Sequence, residues 1–155
     1  MSDSKKLRDW DDRYAASDYL FGTAPNDFLK SVADHLAPNS QILCLADGEG
    51  RNGVYLAAQG HTVTAIDQSR VGLEKAKKLA QQKQVSIETI KADLAEYDIG
   101  VESWDCIVSI FFHIPSEVRA NIYPRIIAAL KPGGSLILES YTPNQLNHKT
   151  GGPPT

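Results

Sequence analysis

Apolar residues in this chain form short continuous runs separated by segments with helical spacing. The runs predict strands at 41–46, 62–66 and 85–90, and the segments between them predict helices at about 51–59 and 70–82. Continuous apolar runs of this length are typical of strands buried on both faces of a parallel sheet. Strands that alternate with helices in this way indicate an α/β fold with a doubly wound, mostly parallel sheet.

The second half of the chain continues this alternation. The apolar run from Trp104 to Phe112 predicts a central strand, because it is long and rich in β-branched residues. A helix is predicted to follow from Pro115, and Pro124 in its middle predicts a kink or a division into two short helices. The Lys-Pro-Gly-Gly segment at 131–134 predicts the end of this helix, and residues 135–140 predict a fifth strand.

Two further helices are predicted before the first strand. Leu7, Trp10 and Tyr14 recur at helical spacing, and Asn26 is suited to cap a second helix. The aromatic residues of this region form a stripe, which is ordinarily a core feature but also suits a lid over a ligand. They are Trp10, Tyr14, Tyr19 and Phe21.

Composition is that of one globular domain. The chain has 155 residues, of which 42% are hydrophobic and 23% charged, enough for a single core. Its net charge of −3 provides no broad basic field, so nucleic acid is not expected as the principal partner. The polar N-terminus has no apolar signal region and no stretch approaches the length of a membrane span, which predicts a cytoplasmic protein without a membrane partner.

Cysteine and histidine residues do not indicate a metal site. Cys44 and Cys106 fall within predicted buried strands, where a free cysteine usually behaves as a small hydrophobe. His35, His61 and His148 are scattered without the spacing of metal ligands. The sequence therefore predicts no bound metal.

A glycine loop between the first strand and the next helix carries the clearest chemical signal. Gly48, Gly50 and Gly53 satisfy the G-x-G-x-x-G pattern, and Asp67 ends the second predicted strand 20 residues after Asp47. A strand, a glycine turn, a helix and a second strand tipped with a carboxylate are typical of a nucleotide-binding half-fold. A P-loop is excluded because no Gly-Lys-Ser/Thr closes the loop. The simpler alternative is a tight turn that needs glycine only for its backbone conformation.

Charge discriminates between the nucleotide cofactors that such a loop binds. Asp47 and Glu49 would place two carboxylates beside a diphosphate held at the helix N-terminus, and Arg51 offsets only one of them. S-adenosylmethionine has no phosphate and carries a sulfonium and an ammonium group, which acidic neighbours favour. The residues therefore favour S-adenosylmethionine. NAD(P) in an oxidoreductase is the alternative, because the same glycines and Asp67 would serve it.

Several ordered motifs give the chain a family resemblance over nearly its whole length. It resembles class I S-adenosylmethionine-dependent methyltransferases, and in particular the small tellurite-resistance-like methyltransferases. The motifs are Trp10-Asp11-x-Arg13-Tyr14, Gly48-Glu49-Gly50-Arg51-Asn52, Val63 to Ser69, Ala92-Asp93-Leu94, Ser109 to His113 and Lys131-Pro132-Gly133-Gly134. This resemblance implies a Rossmann-like sheet with strand order 3-2-1-4-5.

The resemblance also implies a set of cofactor-binding residues. They are Arg13, Tyr19, Ala46, Asp47, Gly48, Gly50, Asn52, Asp67, Gln68, Ala92, Asp93, Leu94, Ser109 and Ile110. Asp67 would accept hydrogen bonds from both ribose hydroxyls, while Asp93 and the Leu94 N–H would read the polar edge of adenine. Each carboxylate has a simpler alternative, since Asp67 could cap the next helix and Asp93 could cap its own loop.

One domain over residues 1–155 is expected. It would comprise N-terminal helices and a lid at 1–40, a cofactor-binding core at 41–142 and a C-terminal loop at 143–155. The family usually has an acidic residue at the position of Cys44 and glycine at that of Ala46, so Asp47 would supply the missing charge.

The family also has two further strands after the fifth, and these are absent here. The fifth strand would then be an exposed apolar edge. We therefore expect either a truncated form of a longer chain or self-association through that edge.

Methyl transfer itself requires chiefly alignment of the acceptor with the S–CH₃ bond. A base is needed only for acceptors that lose a proton, and His113 is the best-placed candidate, followed by Tyr141 and Glu139. His113 could equally be a hydrogen-bonding residue at a strand-to-helix junction. A small-molecule acceptor is expected, and a catalytically silent cofactor-binding module is a further alternative.

Overall fold

The computed structural model describes Asp11, Arg13, Tyr14, Tyr19 and residues 22–110 and 116–139. Residues 22–110 and 116–139 contain five strands and four helices, and Asp11, Arg13 and Tyr14 are also helical. The strands are β1 (Gln41–Leu45), β2 (Thr62–Asp67), β3 (Glu88–Lys91), β4 (Trp104–Ile110) and β5 (Leu130–Glu139). The helices are α1 (Asp27–Val32), α2 (Arg51–Ala58), α3 (Arg70–Gln82) and α4 (Ser116–Ala129), with a 3₁₀ turn after α1 at Ala33–His35.

All five strands form one parallel sheet in the order β3-β2-β1-β4-β5. The order reverses at β1, which pairs with β2 on one side and β4 on the other. The predicted α/β class and the strand order 3-2-1-4-5 are confirmed. In open parallel sheets, ligands bind outside the carboxyl ends of the strands at such a reversal.

The central strands are buried on both faces, and alternate side chains serve two different cores. Ile42 and Cys44 of β1 pack in a cluster that includes Leu29 of α1 and Leu56 of α2. The intervening residues of β1, Leu43 and Leu45, pack in a cluster with Ile122 and Ile126 of α4. The sheet therefore carries helices on both faces, and both cysteines are buried and free.

Three predicted element boundaries differ from the structure. The sequence predicted either a kink at Pro124 or a division into two short helices; α4 continues through Pro124, so the division is wrong and the kink remains a prediction. The β5 strand begins at Leu130, with a register shift between Trp104 and Cys106 of β4 that accommodates the Lys-Pro-Gly-Gly segment. The third strand begins at Glu88, three residues later than expected, because the preceding residues form a turn and an extended connection.

Other predictions fall on residues that the structure does not describe. They concern the helix around Leu7 and Trp10, the aromatic Phe21, the end of the central strand at Phe111 and Phe112, the residues His113 and Tyr141, and the loop at 143–155. By contrast, Asn26 caps α1 as predicted, since its side chain accepts a hydrogen bond from the Leu29 N–H at 3.0 Å.

The edge strand β5 has one apolar face toward solvent. Leu136 and Leu138 are 37% and 39% exposed, whereas Ile137 between them is 7% exposed and packs in the core. This matches the exposed apolar edge expected from the sequence. Among the described helices, none has the length and apolarity needed to cross a membrane.

Candidate cofactor site

The loop between β1 and α2 turns through three left-handed residues. Ala46, Gly48 and Gly50 have φ of 52°, 58° and 92°. The Gly50 N–H donates to the Asp47 carbonyl at 3.1 Å, and Gly50 is the N-cap residue immediately before α2. A residue with a Cβ pays on the order of 1–2 kcal/mol for this conformation. Ala46, where the family usually has glycine, therefore carries local strain.

Close packing, and at Gly50 also backbone conformation, restricts the motif glycines Gly50 and Gly53 to a residue without a Cβ. A Cβ on Gly50 would lie 2.6 Å from the Ala76 Cβ of α3. A Cβ on Gly53, whose φ is ordinary, would lie 2.6 Å from Asp47 Oδ2. These glycines are therefore needed for close packing against α3 and against the Asp47 carboxylate, and not only for a backbone with positive φ.

The Asp47 carboxylate lies behind this loop, against the first turn of α2. Its Oδ2 accepts a hydrogen bond from the Gly53 N–H at 3.2 Å. Burial raises the pKa of Asp47 to about 7; the Gly53 hydrogen bond and the Arg51 charge lower it, while the nearby Asp67 carboxylate raises it. A cation in the crevice would favour the ionised form of this group.

Asp67, at the end of β2, is held by backbone donors from the neighbouring loops. Its Oδ2 accepts from the Gly48 N–H at 2.9 Å and its Oδ1 from the Ser69 N–H at 2.8 Å. Each carboxylate oxygen has two lone pairs, so both oxygens keep acceptor capacity for a ligand. The cap of α3 is Ser69, whose Oγ accepts from the Gly72 N–H at 3.0 Å. Capping that helix is therefore not the role of the Asp67 side chain.

Tyr14 packs its ring against both glycine-bearing segments. A Cβ on Gly48 would lie 2.6 Å from the Tyr14 hydroxyl, and one on Gly72 would lie 2.9 Å from its ring. Tyr14 is buried, which together with the Asp67 charge raises the pKa of its phenol. Tyr14 thus contacts the glycine loop and the first turn of α3, while a lid over a bound cofactor remains a prediction.

Lys75 of α3 links the N-terminal residues to the glycine loop. Its Nζ forms an ion pair with Glu49, donates to the Tyr14 carbonyl at 3.0 Å and lies 5.0 Å from the centre of the Tyr19 ring. The Tyr19 hydroxyl in turn donates to the Lys75 carbonyl at 3.2 Å. The Glu49 charge is therefore compensated by Lys75, and it does not act in full on a ligand at the helix N-terminus as the sequence predicted.

Asp11 supplies a further contact from the N-terminal region. Its Oδ1 accepts from the Ser69 Oγ–H at 2.6 Å, while Ser69 itself caps α3. Arg13 is exposed in this structure. The N-terminal residues are therefore fixed to α3 mainly through Asp11, Tyr14 and Tyr19.

The segment after β3 lies beside Asp67. The Ala92 N–H donates to the Asp67 carbonyl at 3.1 Å, which brings the Ala92-Asp93-Leu94 motif to the same edge of the sheet. Asp93 Oδ1 accepts from the Ala95 N–H at 2.9 Å, so one oxygen has the loop-capping role considered as its alternative. Leu94 is buried in the core.

Asn52 has a structural contact that the sequence did not predict. Its Oδ1 accepts from the Asn26 backbone N–H at 2.8 Å, and the Asn26 amide group donates to Glu139 Oε1 at 3.1 Å. This network joins α1, α2 and the end of β5. The Oδ1 atom of Asn52 therefore already accepts a hydrogen bond within the protein. A contact between Asn52 and the cofactor remains a prediction.

Three further predicted residues lie at or just beyond the carboxyl ends of β4 and β2. Ser109 is 2% exposed and pairs in register with Leu45 and Leu138, while Ile110 pairs with Glu139. Gln68 is half-buried after Asp67. Within the described residues, no group of three or more potential metal ligands occurs together.

Comparison with known proteins agrees with this geometry. Residues 42–134 match the methyltransferase domain family. The chain belongs to this family. An uncharacterized methyltransferase of Bacillus subtilis, YodH, is 32% identical over 132 residues, which cover 81% of this chain and 56% of YodH. The match favours S-adenosylmethionine, the cofactor of class I methyltransferases, over the nicotinamide alternative.

One further sequence relative and one solved structure are also similar to this chain. The tRNA 5-carboxymethoxyuridine methyltransferase of Escherichia coli K12 is 28% identical over 122 residues, covering 76% of this chain and 47% of that protein. A TehB-like SAM-dependent methyltransferase from Corynebacterium glutamicum has the same fold, with a TM-score of 0.62, 19% identity and coverage of 94% of this chain and 78% of that one.

The class I methyltransferase fold is thus confirmed, while the narrower tellurite-resistance-like likeness remains a prediction. The chain spans about half the length of the curated relatives described, at 56% and 47%.

Proposed function

We propose that this chain binds S-adenosylmethionine at the carboxyl ends of β1 and β2 and transfers its methyl group to a small-molecule acceptor. The observation that carries the proposal is the Asp67 carboxylate, oriented by the Gly48 and Ser69 N–H groups at 2.9 and 2.8 Å beside a left-handed glycine loop. A carboxylate fixed in this way can accept from two adjacent ribose hydroxyls at once.

The remaining cofactor contacts follow from the positions of the other loops. The backbone of residues 46–50 would hold the methionine portion, with the Asp47 carboxylate behind it to favour a positive charge. Gln68 and residues 92–94 would contact the adenine, and Ser109 and Ile110 would lie under the cofactor. Arg13 and Tyr19 would close the site from the N-terminal side, and Asn52 would contact the cofactor from the first turn of α2. The division into a lid region at 1–40, a core at 41–142 and a terminal loop at 143–155 is part of this proposal.

S-adenosylmethionine, when bound, supplies an electrophilic methyl group on a sulfonium, and the sulfur keeps the electron pair of the broken bond. The chain's part is to align the acceptor and exclude water, which can lower the barrier by about 7–11 kcal/mol in favourable cases. An acceptor that must lose a proton also needs a base, and we assign that role to His113.

A small-molecule acceptor is favoured over RNA by the charge of the chain. A net charge of −3 provides no basic field for a phosphate backbone. The tRNA-modifying relative makes RNA the alternative to test. Transfer of a radiolabelled methyl group to a panel of thiols, amines, hydroxyl compounds and carboxylates, with bulk tRNA in parallel, discriminates between them. Labelling of tRNA alone would contradict a small-molecule acceptor.

Calorimetric titration tests the cofactor assignment. We expect S-adenosylhomocysteine to bind with micromolar affinity and NAD to show no binding, with Asp67→Asn weakening the former. Binding of NAD alone would reject the proposal. Binding of S-adenosylhomocysteine without methyl transfer to any member of the panel would instead favour a catalytically silent module.

A further inference from the structure

Arg125 of α4 binds the segment that follows β3. Its Nη1 donates to the Leu94 carbonyl at 2.8 Å, and its Nη2 donates to the Tyr97 carbonyl. The same Nη1 also reaches Asn121 Oδ1 at 3.2 Å, one helical turn earlier. One guanidinium therefore joins two backbone carbonyls that belong to a different part of the chain.

Those two carbonyls belong to a turn that begins at Asp93 and ends at Tyr97. The Tyr97 N–H donates to the Asp93 carbonyl at 2.9 Å, and the Ala95 N–H donates to Asp93 Oδ1 at the same distance. The segment between β3 and β4 has no helix or strand of its own. Its local hydrogen bonds shape the turn, but the contacts with Arg125 attach that turn to α4.

Apolar packing cannot replace these contacts. Leu94 and Ile99 are buried in the core cluster with Ile122 and Ile126 of α4, which fixes how closely the segment approaches the helix. Apolar contacts are non-directional, whereas hydrogen bonds to carbonyls fix the orientation of the peptide groups. Only a planar guanidinium presents two N–H groups in a rigid fork suited to two such acceptors, and a lysine ammonium does not.

We propose that Arg125 is a positioning residue for recognition of the 6-amino group of the cofactor's purine. It would act through Leu94 and Asp93, by holding the Leu94 N–H and the Asp93 carboxylate in the orientation that reads the polar edge of adenine. The inference rests on the proposed function, since it assumes that residues 92–94 contact adenine. The ligand class that this arrangement selects is a 6-aminopurine nucleoside, with a 6-oxopurine disfavoured.

The test compares binding of S-adenosylhomocysteine and S-inosylhomocysteine, which has a carbonyl in place of the amino group. Wild-type protein should bind the adenosyl compound more tightly. For Arg125→Met we expect a loss of about tenfold in affinity for S-adenosylhomocysteine, as for loss of one or two oriented hydrogen bonds, with little change for the inosyl compound. Arg125→Lys should behave like Arg125→Met, although it keeps the positive charge.

Two controls separate positioning from a general effect. Arg119→Met changes an exposed arginine of the same helix, and Asn121→Ala removes only the third contact of Arg125; both should keep the wild-type preference. An unchanged preference in Arg125→Lys, or an equal loss for both ligands, would overturn the inference while leaving the proposed function intact. Failure of the wild type to bind S-adenosylhomocysteine would overturn the proposed function and this inference with it.

Discussion

The Gly48 N–H donates to Asp67 Oδ2 at 2.9 Å, and this bond joins the first glycine turn to the end of the second strand. The two residues are 19 positions apart in sequence. Because the carbonyl of Asp67 also accepts from the Ala92 N–H, three loops meet at this residue. Asp67 therefore holds these loops together through its side chain and its backbone carbonyl.

The first prediction concerns the loss of this carboxylate. In Asp67→Asn, one side-chain oxygen becomes an NH₂ group, which cannot accept from either backbone N–H or from a ribose hydroxyl. We expect affinity for S-adenosylhomocysteine to fall by about tenfold or more, as for loss of a hydrogen bond to a charged group. Calorimetry measures this, with the exposed Asp34→Asn as the matched control. Wild-type affinity in Asp67→Asn would contradict the assigned role.

The pKa of Asp47 predicts a pH dependence of stability without ligand. In the folded chain this pKa is raised from 3.8 to about 7, so between these values the folded state binds more protons than the unfolded state. The free energy of unfolding should therefore fall as pH rises from about 4 to about 7, and this contribution should level off above that. Asp47→Asn should remove that part of the slope in urea denaturation. An identical slope in the variant would argue against a raised pKa.

The same group predicts a pH dependence of cofactor affinity. Because a bound cation favours the ionised carboxylate, affinity for S-adenosylmethionine should increase as pH rises through about 7. The uncharged sulfur of S-adenosylhomocysteine should give a smaller increase. Asp47→Asn should bind both compounds with an affinity that depends less on pH. Calorimetry from about pH 5 to about pH 8.5, a range of about two units around this pKa, measures the difference. A steeper increase for S-adenosylhomocysteine would contradict this account.

Gly53 provides a test of packing inside the glycine loop. Gly53→Ala would place a Cβ 2.6 Å from Asp47 Oδ2, and we expect a destabilisation of about 1–3 kcal/mol, as for overpacking. In an Asp47→Ala background that clash disappears, and alanine's higher helix propensity should make the same change neutral or stabilising. Urea denaturation of the four proteins measures this double-mutant cycle. Additive effects would show that the Asp47 side chain does not constrain Gly53.

The buried Lys75–Glu49 ion pair predicts that replacing Lys75 lowers the free energy of unfolding strongly. The side chains are only 12% and 4% exposed, so Lys75→Met would remove an ion pair from a buried carboxylate, at a cost of about 3 kcal/mol. Glu49→Gln in the same chain should recover much of that loss. Lys77→Met is the matched control, because its pair with Glu74 is exposed and should contribute little. Equal destabilisation by both lysine variants would refute this difference.

The exposed face of β5 predicts self-association. Leu136 and Leu138 lie on an edge strand, and such an edge can pair with another chain. We expect the sedimentation coefficient of the wild type to rise with concentration and that of Leu138→Lys to rise less. Val101→Lys, at a 71% exposed position outside this strand, is the control. A wild type that stays monomeric throughout would exclude association through β5.

Much of the candidate cofactor site follows from local sequence. The apolar runs predicted the strands, and the spacing of the glycines from Asp67 predicted that a loop and a carboxylate meet at one edge of the sheet. These predictions succeed because strand burial, backbone conformation and the parallel arrangement are properties of short segments. The role of His113 remains a prediction, since that residue lies outside the described part of the chain.

Charge compensation and loop attachment depended on the tertiary structure. The sequence could not show that Lys75 pairs with Glu49, that Asn26 contacts both Asn52 and Glu139, or that Arg125 holds Leu94. The contacts of Asn26 and Arg125 join residues 26, 113 and 31 positions apart. The sequence fixes which groups are available, but only the packing of helices against the sheet decides which partners come within hydrogen-bond distance, because these interactions act over a few ångströms.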